Sequence, residues 1–288
     1  MSLPSSFLPA AIRQLTAPNP GPFTGDGTNT YLVGKDALAV IDPGPDDAGH
    51  LRAILAAAQG RPITHILLTH AHIDHVAGLS ALQSATGAVT VAFPRSIRDQ
   101  PSSTPRTPSG TEFIDWTFRP DLALRHGLTF QAGDHAFEAI HTPGHAPDHI
   151  CFALPAYPEI LFSGDHVMGW STSVIAPPEG HMGDYVRALE QLSQRAEKHY
   201  LPGHGASIPD GARTARVYLL HRQAREQAIL KAVRGGAATI AHITSIVYAG
   251  IAENLLNAAR LSTQAHLEFL AEKGLVTAQA PFQARNAT

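Results

Sequence analysis

Seven side chains able to hold a metal follow four apolar runs. Ile66-Leu67-Leu68 leads into His70, His72, Asp74 and His75, and the runs "AIHTPGH", "ILFSGD" and "YLPGH" end in His145, Asp165 and His204. Alone, the first group could equally be a metal site, a pH-sensitive surface loop or an accident of a chain with 17 histidines. The recurrence is more telling. If the four runs are strands of neighbouring sheets, all seven residues can converge at one end of the fold. The glycine before each of His145, Asp165 and His204 lets the backbone turn sharply there. Seven nitrogen and oxygen donors exceed the four that one zinc ion takes, and suit two ions sharing a bridge. Imidazole with carboxylate and no thiolate favours zinc, with manganese, iron or cobalt as alternatives. Two ions about 3.5–4 Å apart can hold a bridging hydroxide and clamp a reacting oxyanion.

The first 209 residues must supply the strands that bring these donors together. Apolar runs predict strands at 29–34, 37–44, 64–70, 88–94, 135–145, 149–154, 159–165 and 198–204. Residues 46–58 and 182–196 predict amphipathic helices, the first capped by Asp46 or Asp47 and the second opened by Gly183-Asp184. Mixed strands and helices imply an α/β architecture with helices covering sheets. The Pro/Ser-rich stretch 94–111 predicts a long surface loop, either a plain insertion or a roof over a pocket.

Beyond Pro209 the pattern changes. A long helix over 211–233 ends at Gly235-Gly236, a short helix starts at Thr239, another spans 257–273, and "LVTA" begins a strand. That order is the order of a winged helix. The expected division is a catalytic domain over 1–209 and a winged-helix-like domain over 210–288. The first carries 12 basic and 19 acidic groups, net −7, and the second 9 basic and 5 acidic, net +4. On the would-be recognition helix Arg260 and Lys273 are cancelled by Glu268 and Glu272, so duplex DNA is a poor partner. A packing or homodimerisation module is expected instead. The overall charge of −3 gives no strong field toward nucleic acid or acidic membranes. No run is long enough to span a membrane, and no basic segment followed by a long apolar stretch opens the chain. The single cysteine, Cys151, sits in an apolar run and reads as a core residue. A cytoplasmic protein is the expectation.

The order "THAHIDH", "TPGH", "SGD", "PGH" resembles the metallo-β-lactamase fold superfamily, over most of residues 20–209. The resemblance implies an αββα sandwich. It also implies that His70, His72 and His145 bind one metal, that Asp74, His75 and His204 bind a second, and that Asp165 bridges them. "GPFTGDGTNTYLVG", "TPGHAPDHICF" and the stretch from "FSGDHVMGWSTS" to "MGDY" are similar to the β-lactamase-like protein 2 group, which carries a C-terminal winged helix. His181 departs from that group, where an acidic residue is usual, and so bears on pocket polarity. In such a fold Asp42 ends a strand near the site and would orient a ligand histidine through its other ring nitrogen. His149 and His166 stand beside the ligands, either supporting them or turned away. Ser171, Thr172, Ser173 and Tyr185 would meet substrate if "GWSTS" edges the cleft, or else cap loops. His50, His65, His126, His221, His242 and His266 fit no constellation.

The resulting expectation is a dinuclear zinc-dependent hydrolase using a metal-bridging hydroxide on a small-molecule ester, thioester or lactone. Asp74 is the residue placed to orient the nucleophile and move its proton. A single-stranded RNA endoribonuclease is the alternative, with Arg213, Arg216, Arg222 and Arg225 as its basic track. A glyoxalase-II-like thioesterase, a β-lactamase and a non-enzymatic DNA-binding regulator are weaker readings. The C-terminal part is unlike glutathione-binding helices, no export signal is visible, and a regulator has no use for open metal positions.

Overall fold

Alternate side chains of the apolar strands go to different layers. In β2 (Asn29–Val33) and β3 (Leu38–Ile41), residues Tyr31, Val33, Ala39 and Ile41 face one apolar cluster, while Leu32, Leu38 and Val40 face another. In β9 (Ile150–Ala153) and β10 (Ile160–Gly164), Ile150, Phe152, Ile160 and Phe162 share the first cluster, while Cys151, Ala153 and Leu161 turn to a third. Strands apolar on both sides need cover on both faces, which fixes a layered arrangement. The computed structural model describes residues 8–95, 114–115 and 117–285. Of the expected loop at 94–111, only Pro94 and Arg95 fall within them.

One sheet has the order β1-β2-β3-β4-β5-β6, adding β1 (Ile12–Thr16), β4 (Ile63–Leu67), β5 (Val89–Ala92) and the two-residue β6 (Leu122–Ala123). The other has the order β11-β10-β9-β8-β7, adding β7 (Thr129–Ala132), β8 (His135–His141) and β11 (His199–Pro202). The sandwich core lies between them. Helices α1 (Ala48–Ala58) and α3 (Leu79–Thr86) cover the first sheet, and α4 (Met182–Leu192) covers the second. The short α2 (Ile73–Val76) lies within the histidine motif itself. This is the αββα sandwich of the metallo-β-lactamase fold.

The C-terminal winged helix comprises α6 (Ile240–Val247), a 3₁₀ turn at Glu253–Leu255, α7 (Leu256–Glu272) and a minimal wing, where Val276 bridges Ala284. Thr239 caps α6 as expected. The predicted strand from Leu275 is reduced to that bridge. Helix α5 (Gly211–Arg234) joins the two parts, and Ala215 and Tyr218 of α5 and Ala265 of α7 pack into the cluster under α4. Apolar packing is therefore continuous across residue 209. Among the described residues, no helix is long and apolar enough to cross a membrane.

Candidate metal centre

The donors follow the carboxyl ends of β4, β8, β10 and β11. β8 and β11 both run parallel to β10, β8 through the antiparallel β9, and the contacts among the donors bring the end of β4 to the same edge. Three groups of donor atoms lie within 4.8 Å of one another: His70, His72 and His145; His70, His75 and Asp165; and Asp74, His75 and His204. All seven predicted donors are thus gathered. His75 Nε2 lies 3.5 Å from Asp74 Oδ2 and 3.4 Å from Asp165 Oδ1, and His204 Nε2 lies 3.1 Å from Asp74 Oδ2 and 3.4 Å from Asp165 Oδ2. Asp165 also reaches the other trio, 3.7 Å from His145 Nε2. His70, His75 and His204 are buried, whereas the Asp74 side chain is 29% exposed and forms part of the open side.

Two glycines make this possible for different reasons. Gly164, at the end of β10, has φ +49°, and a Cβ there would stand 2.6 Å from His149 Nε2. The sharp turn before Asp165 is therefore a conformational requirement. Gly203 has no such φ. Its need is for room, because a Cβ would sit 2.3 Å from Asp165 Oδ1 and 2.7 Å from His75 Cε1.

Each of the five imidazoles has its outer nitrogen fixed. His75 Nδ1 meets Asp42 Oδ2 at 2.9 Å, the contact expected of Asp42. Thr69 donates to Asp42 from both its backbone N–H (2.8 Å) and its hydroxyl (2.7 Å), and that hydroxyl lies 3.0 Å from His70 Nδ1. One carboxylate thus orients two rings. Asp42 holds a left-handed φ of +51°, a conformation Asp tolerates better than most residues and one often found where a site demands it. His145 Nδ1 donates to Val174 C=O at 2.8 Å, and His204 Nδ1 to Gly27 C=O at 3.1 Å. His72 Nε2 meets Glu179 Oε2 at 3.0 Å. Outer nitrogens that donate leave lone pairs on the inner ones, and His72 Nδ1 lies 2.9 Å from His70 Nε2 and 3.1 Å from His145 Nε2. Three converging lone pairs repel unless a cation lies among them. Asp165 Oδ1 is buried without a hydrogen-bond partner among the described residues. Both observations fit a metal pair.

The protonation states divide the donors: His70 and His145 are lowered, while burial is outweighed by facing carboxylates that raise His75, His204 and, chiefly through Glu179, His72. Burial and the neighbouring imidazoles push His70 well below the ordinary histidine range and lower His145. Burial opposes the charge of Asp74, but His75 and His204 overcome it and hold the carboxyl at about 2; Asp165 is likewise held well below the carboxylate range. Neutral imidazole and ionised carboxylate are the forms that bind metals. His204 titrates near 10 and His75 well above 6.5, since facing carboxylates outweigh their burial. A divalent ion would take the place of those protons.

Several supporting residues escaped sequence reasoning. Arg95 Nη2 donates to Asp148 at 2.7 Å and also ion-pairs with Glu179, and Asp148 accepts the Ala71 N–H at 3.2 Å. The Asn29 amide donates to the carbonyls of Pro202 (3.0 Å) and Gly205 (2.8 Å), and Tyr31 Oη donates to Pro202 at 2.7 Å. These bonds tie β11, which leads into His204, to the first sheet. Glu179 and Arg95 lie in irregular segments without periodicity, so nothing local marks them. The "TNTY" run is legible as a strand and as part of the family resemblance, but not as a clamp on β11.

The remaining candidates divide. His149 supports the site: its Nε2 accepts the Asp165 N–H at 3.0 Å, and its Nδ1 lies 2.8 Å from Thr142 Oγ1. His166 is buried against Tyr185, ring centroids 4.5 Å apart, and burial drives it to about 3. Tyr185 is itself fully buried and donates to the His166 carbonyl at 3.1 Å, so a substrate contact from it is corrected. Ser173 is buried, with its hydroxyl given to the carbonyls of Asp165 and His166. Ser171 is exposed and bonds Thr172 C=O at 3.2 Å, a loop contact only. The His181 side chain is engaged at the surface by Asp184 and Glu272. It caps α4, in place of the expected Gly183-Asp184 opening, and meets Glu272 of α7 at 2.7 Å.

Comparison with known proteins gives the family and the fold. A family model described as "Metallo-beta-lactamase superfamily" matches residues 23–204, and one described as "Beta-lactamase associated winged helix domain" matches 239–281. The chain is 31% identical over 277 residues to the Beta-lactamase-like protein 2 homolog of Drosophila melanogaster, covering 93% of this chain and 90% of that one. It is 33% identical to the atrochrysone carboxyl ACP thioesterase nsrC of Aspergillus novofumigatus, covering 81% and 66%. Among solved structures, a metallo-beta-lactamase family protein from Thermus thermophilus superposes with a TM-score of 0.76 at 23% identity, covering 96% of this chain and 99% of that one.

Proposed function

Starting from a chain that belongs to the metallo-β-lactamase superfamily of hydrolases, we propose that it cleaves a small-molecule ester, thioester or lactone with two bound zinc ions, manganese, iron and cobalt being the alternatives. His70, His72 and His145 would hold one ion, Asp74, His75 and His204 the other, and Asp165 would serve both. The observation that carries this reading is the set of five imidazoles with outer nitrogens fixed and inner nitrogens converging on one another and, for His70, His75, His145 and His204, on Asp74 or Asp165. When bound, the ions would supply an acidified water and Lewis acidity toward the carbonyl oxygen.

The chain's own residues do the rest. Asp74, ionised and on the open side, orients the nucleophile and accepts its proton. Asp42 and Glu179 keep His75 and His72 facing inward. The thioesterase relative supports acyl transfer to water as the reaction class.

RNA cleavage has less support. Of the four α5 arginines, Arg222 is buried, and Arg225 donates to Val247 C=O at 2.6 Å while covering the Tyr248 ring. Only Arg213 and Arg216 point outward, which is a short track for phosphates. Duplex DNA fares worse, since Lys273 binds Glu226 at 2.9 Å and lies over Phe269. We place the catalytic unit at 1–209 and the winged helix at 210–288, in a cytoplasmic protein whose one cysteine is buried and free.

Metal analysis followed by an activity panel tests the reading. The panel holds acyl thioesters, aryl esters, lactones, single-stranded RNA and a chromogenic β-lactam. Hydrolysis of an acyl substrate should vanish with a chelator and return with zinc. Cleavage of RNA alone would overturn the substrate class, and a chain that takes up no metal would overturn the reading entirely.

A further inference from the structure

Arg222 lies on α5, between the two stretches that the family models match. It is 4% exposed, and among the described residues no carboxylate comes within ion-pair distance of it. A buried cation without a counter-ion is costly and must be held by dipoles. Here Nη2 donates to the Ser173 carbonyl, Nη1 lies 3.4 Å from Ser262 Oγ on α7, and the guanidinium stands 5.2 Å from the Tyr185 ring centroid.

The Ser173 carbonyl is a consequential place for that bond. The Ser173 hydroxyl holds the main-chain carbonyls of Asp165 and His166, and the next residue's carbonyl, on Val174, accepts His145 Nδ1 at 2.8 Å. Tyr218, also on α5, donates to the Met168 carbonyl in the same segment. Behind Arg222, the Tyr248 hydroxyl donates to Ser262 Oγ at 3.1 Å. A continuous set of contacts thus runs from the winged helix, through one guanidinium, to the backbone that fixes a ring and a carboxylate of the metal centre.

We propose that Arg222 is a positioning residue for the ion held by His70, His72 and His145, and that through it the C-terminal helices brace the centre. This rests on the two-metal reading above. Without the guanidinium, Ser173 C=O is left buried and unpaired, the 166–174 segment relaxes, and His145 and Asp165 lose their register. Outer contacts of this kind change metal affinity by about 10–100-fold.

The test compares Arg222→Met, Arg222→Lys and a control, Leu267→Ala, which opens the C-terminal core without touching the 166–174 segment. Zinc affinity is read by chelator competition and site geometry by the absorption of the cobalt(II)-loaded protein. Arg222→Met should weaken the ion held by His70, His72 and His145 by about 10–100-fold, affect the other by less through Asp165, and shift the cobalt bands. Arg222→Lys, which keeps one donor, should fall between, and carries the same readout should the methionine variant not fold. Leu267→Ala should lower the melting temperature and leave both metal readouts in place. Wild-type affinity and spectrum in the Arg222 variants, or an equal shift in Leu267→Ala, would overturn the inference alone. A wild-type protein that binds no metal would overturn the reading beneath it as well.

Discussion

The two halves of the donor cluster are held from opposite sides of the molecule. His75 and His204 are fixed by the first sheet: Asp42 ends β3, Gly27 precedes β2, and Asn29 and Tyr31 of β2 anchor the end of β11. His72 and His145 are fixed by loops: Glu179 with Arg95, and Val174 with Arg222 behind it. The sheet half inherits its precision from paired strands. The loop half must assemble it from side chains far apart in sequence. The contrast teaches that one site can contain a rigid part and a part open to adjustment from outside the catalytic fold.

The most disruptive tests remove a donor on either side. Asp74→Ala and His72→Ala should each cut turnover by at least ~10²–10⁴-fold with little change in far-ultraviolet circular dichroism. A metal-replete variant with full activity would remove that residue from the proposed roles. Next come the two outer carboxylates. Asp42→Asn should weaken chiefly the ion near His75 and His204, which it touches directly through His75, and by less the other ion, which it reaches only through Thr69 and His70. Glu179→Gln should weaken the ion near His72, each main effect being about a 10–100-fold loss of affinity. The larger loss of metal in the two variants should therefore fall on different ions. If both lose the same ion first, the two-sided support is wrong.

The smallest effect concerns the clasp between α4 and α7. Burial opposes the charge of His181, but Glu272 and Asp184 overcome this and raise its pKa above the ordinary 6.5. When protonated it can donate from Nε2 to Glu272 (2.7 Å) and from Nδ1 to the Asp184 carboxylate (2.8 Å), giving up the cap bond in which a neutral Nδ1 accepts the Asp184 N–H (3.2 Å). Because the folded pKa is the higher one, this stabilisation is complete below about pH 6.5 and is lost as pH rises through the raised value. The side chain is 37% exposed, so solvent screening limits the pair to about 1 kcal/mol or less. His181→Gln should cost that much in urea unfolding at pH 6 and less at pH 9. An equal cost at both would show that the clasp is not ionic.

Strands buried on both faces were readable as apolar runs, and the donors at their ends as a pattern. The elements that escaped were short or half exposed. β1 alternates polar side chains, β6 is two exposed residues, and α3 is an eight-residue helix with three hydroxyl-bearing side chains. Helix α2 was hidden because its residues are the metal donors themselves. Asp42 could be placed because it ends a strand adjacent to the motif strand. Glu179 could not, since its 107-residue separation from His72 is closed only by tertiary folding. Tyr185 and Ser173 sat near the right sequence but faced inward, a choice fixed by packing on α5 rather than by local spelling.

Gly203 keeps a small volume free beside Asp165 and His75. The donors around that volume belong to both sheets, one set following β4 and the other following β8, β10 and β11. Ions there would join parts of the chain more than a hundred residues apart, as a disulfide does, in a protein whose lone cysteine can make none. Loss of metal would then do more than stop the chemistry. It would lengthen the longest loops of the chain at once, and the two sheets would gain freedom to part at the edge where substrate enters.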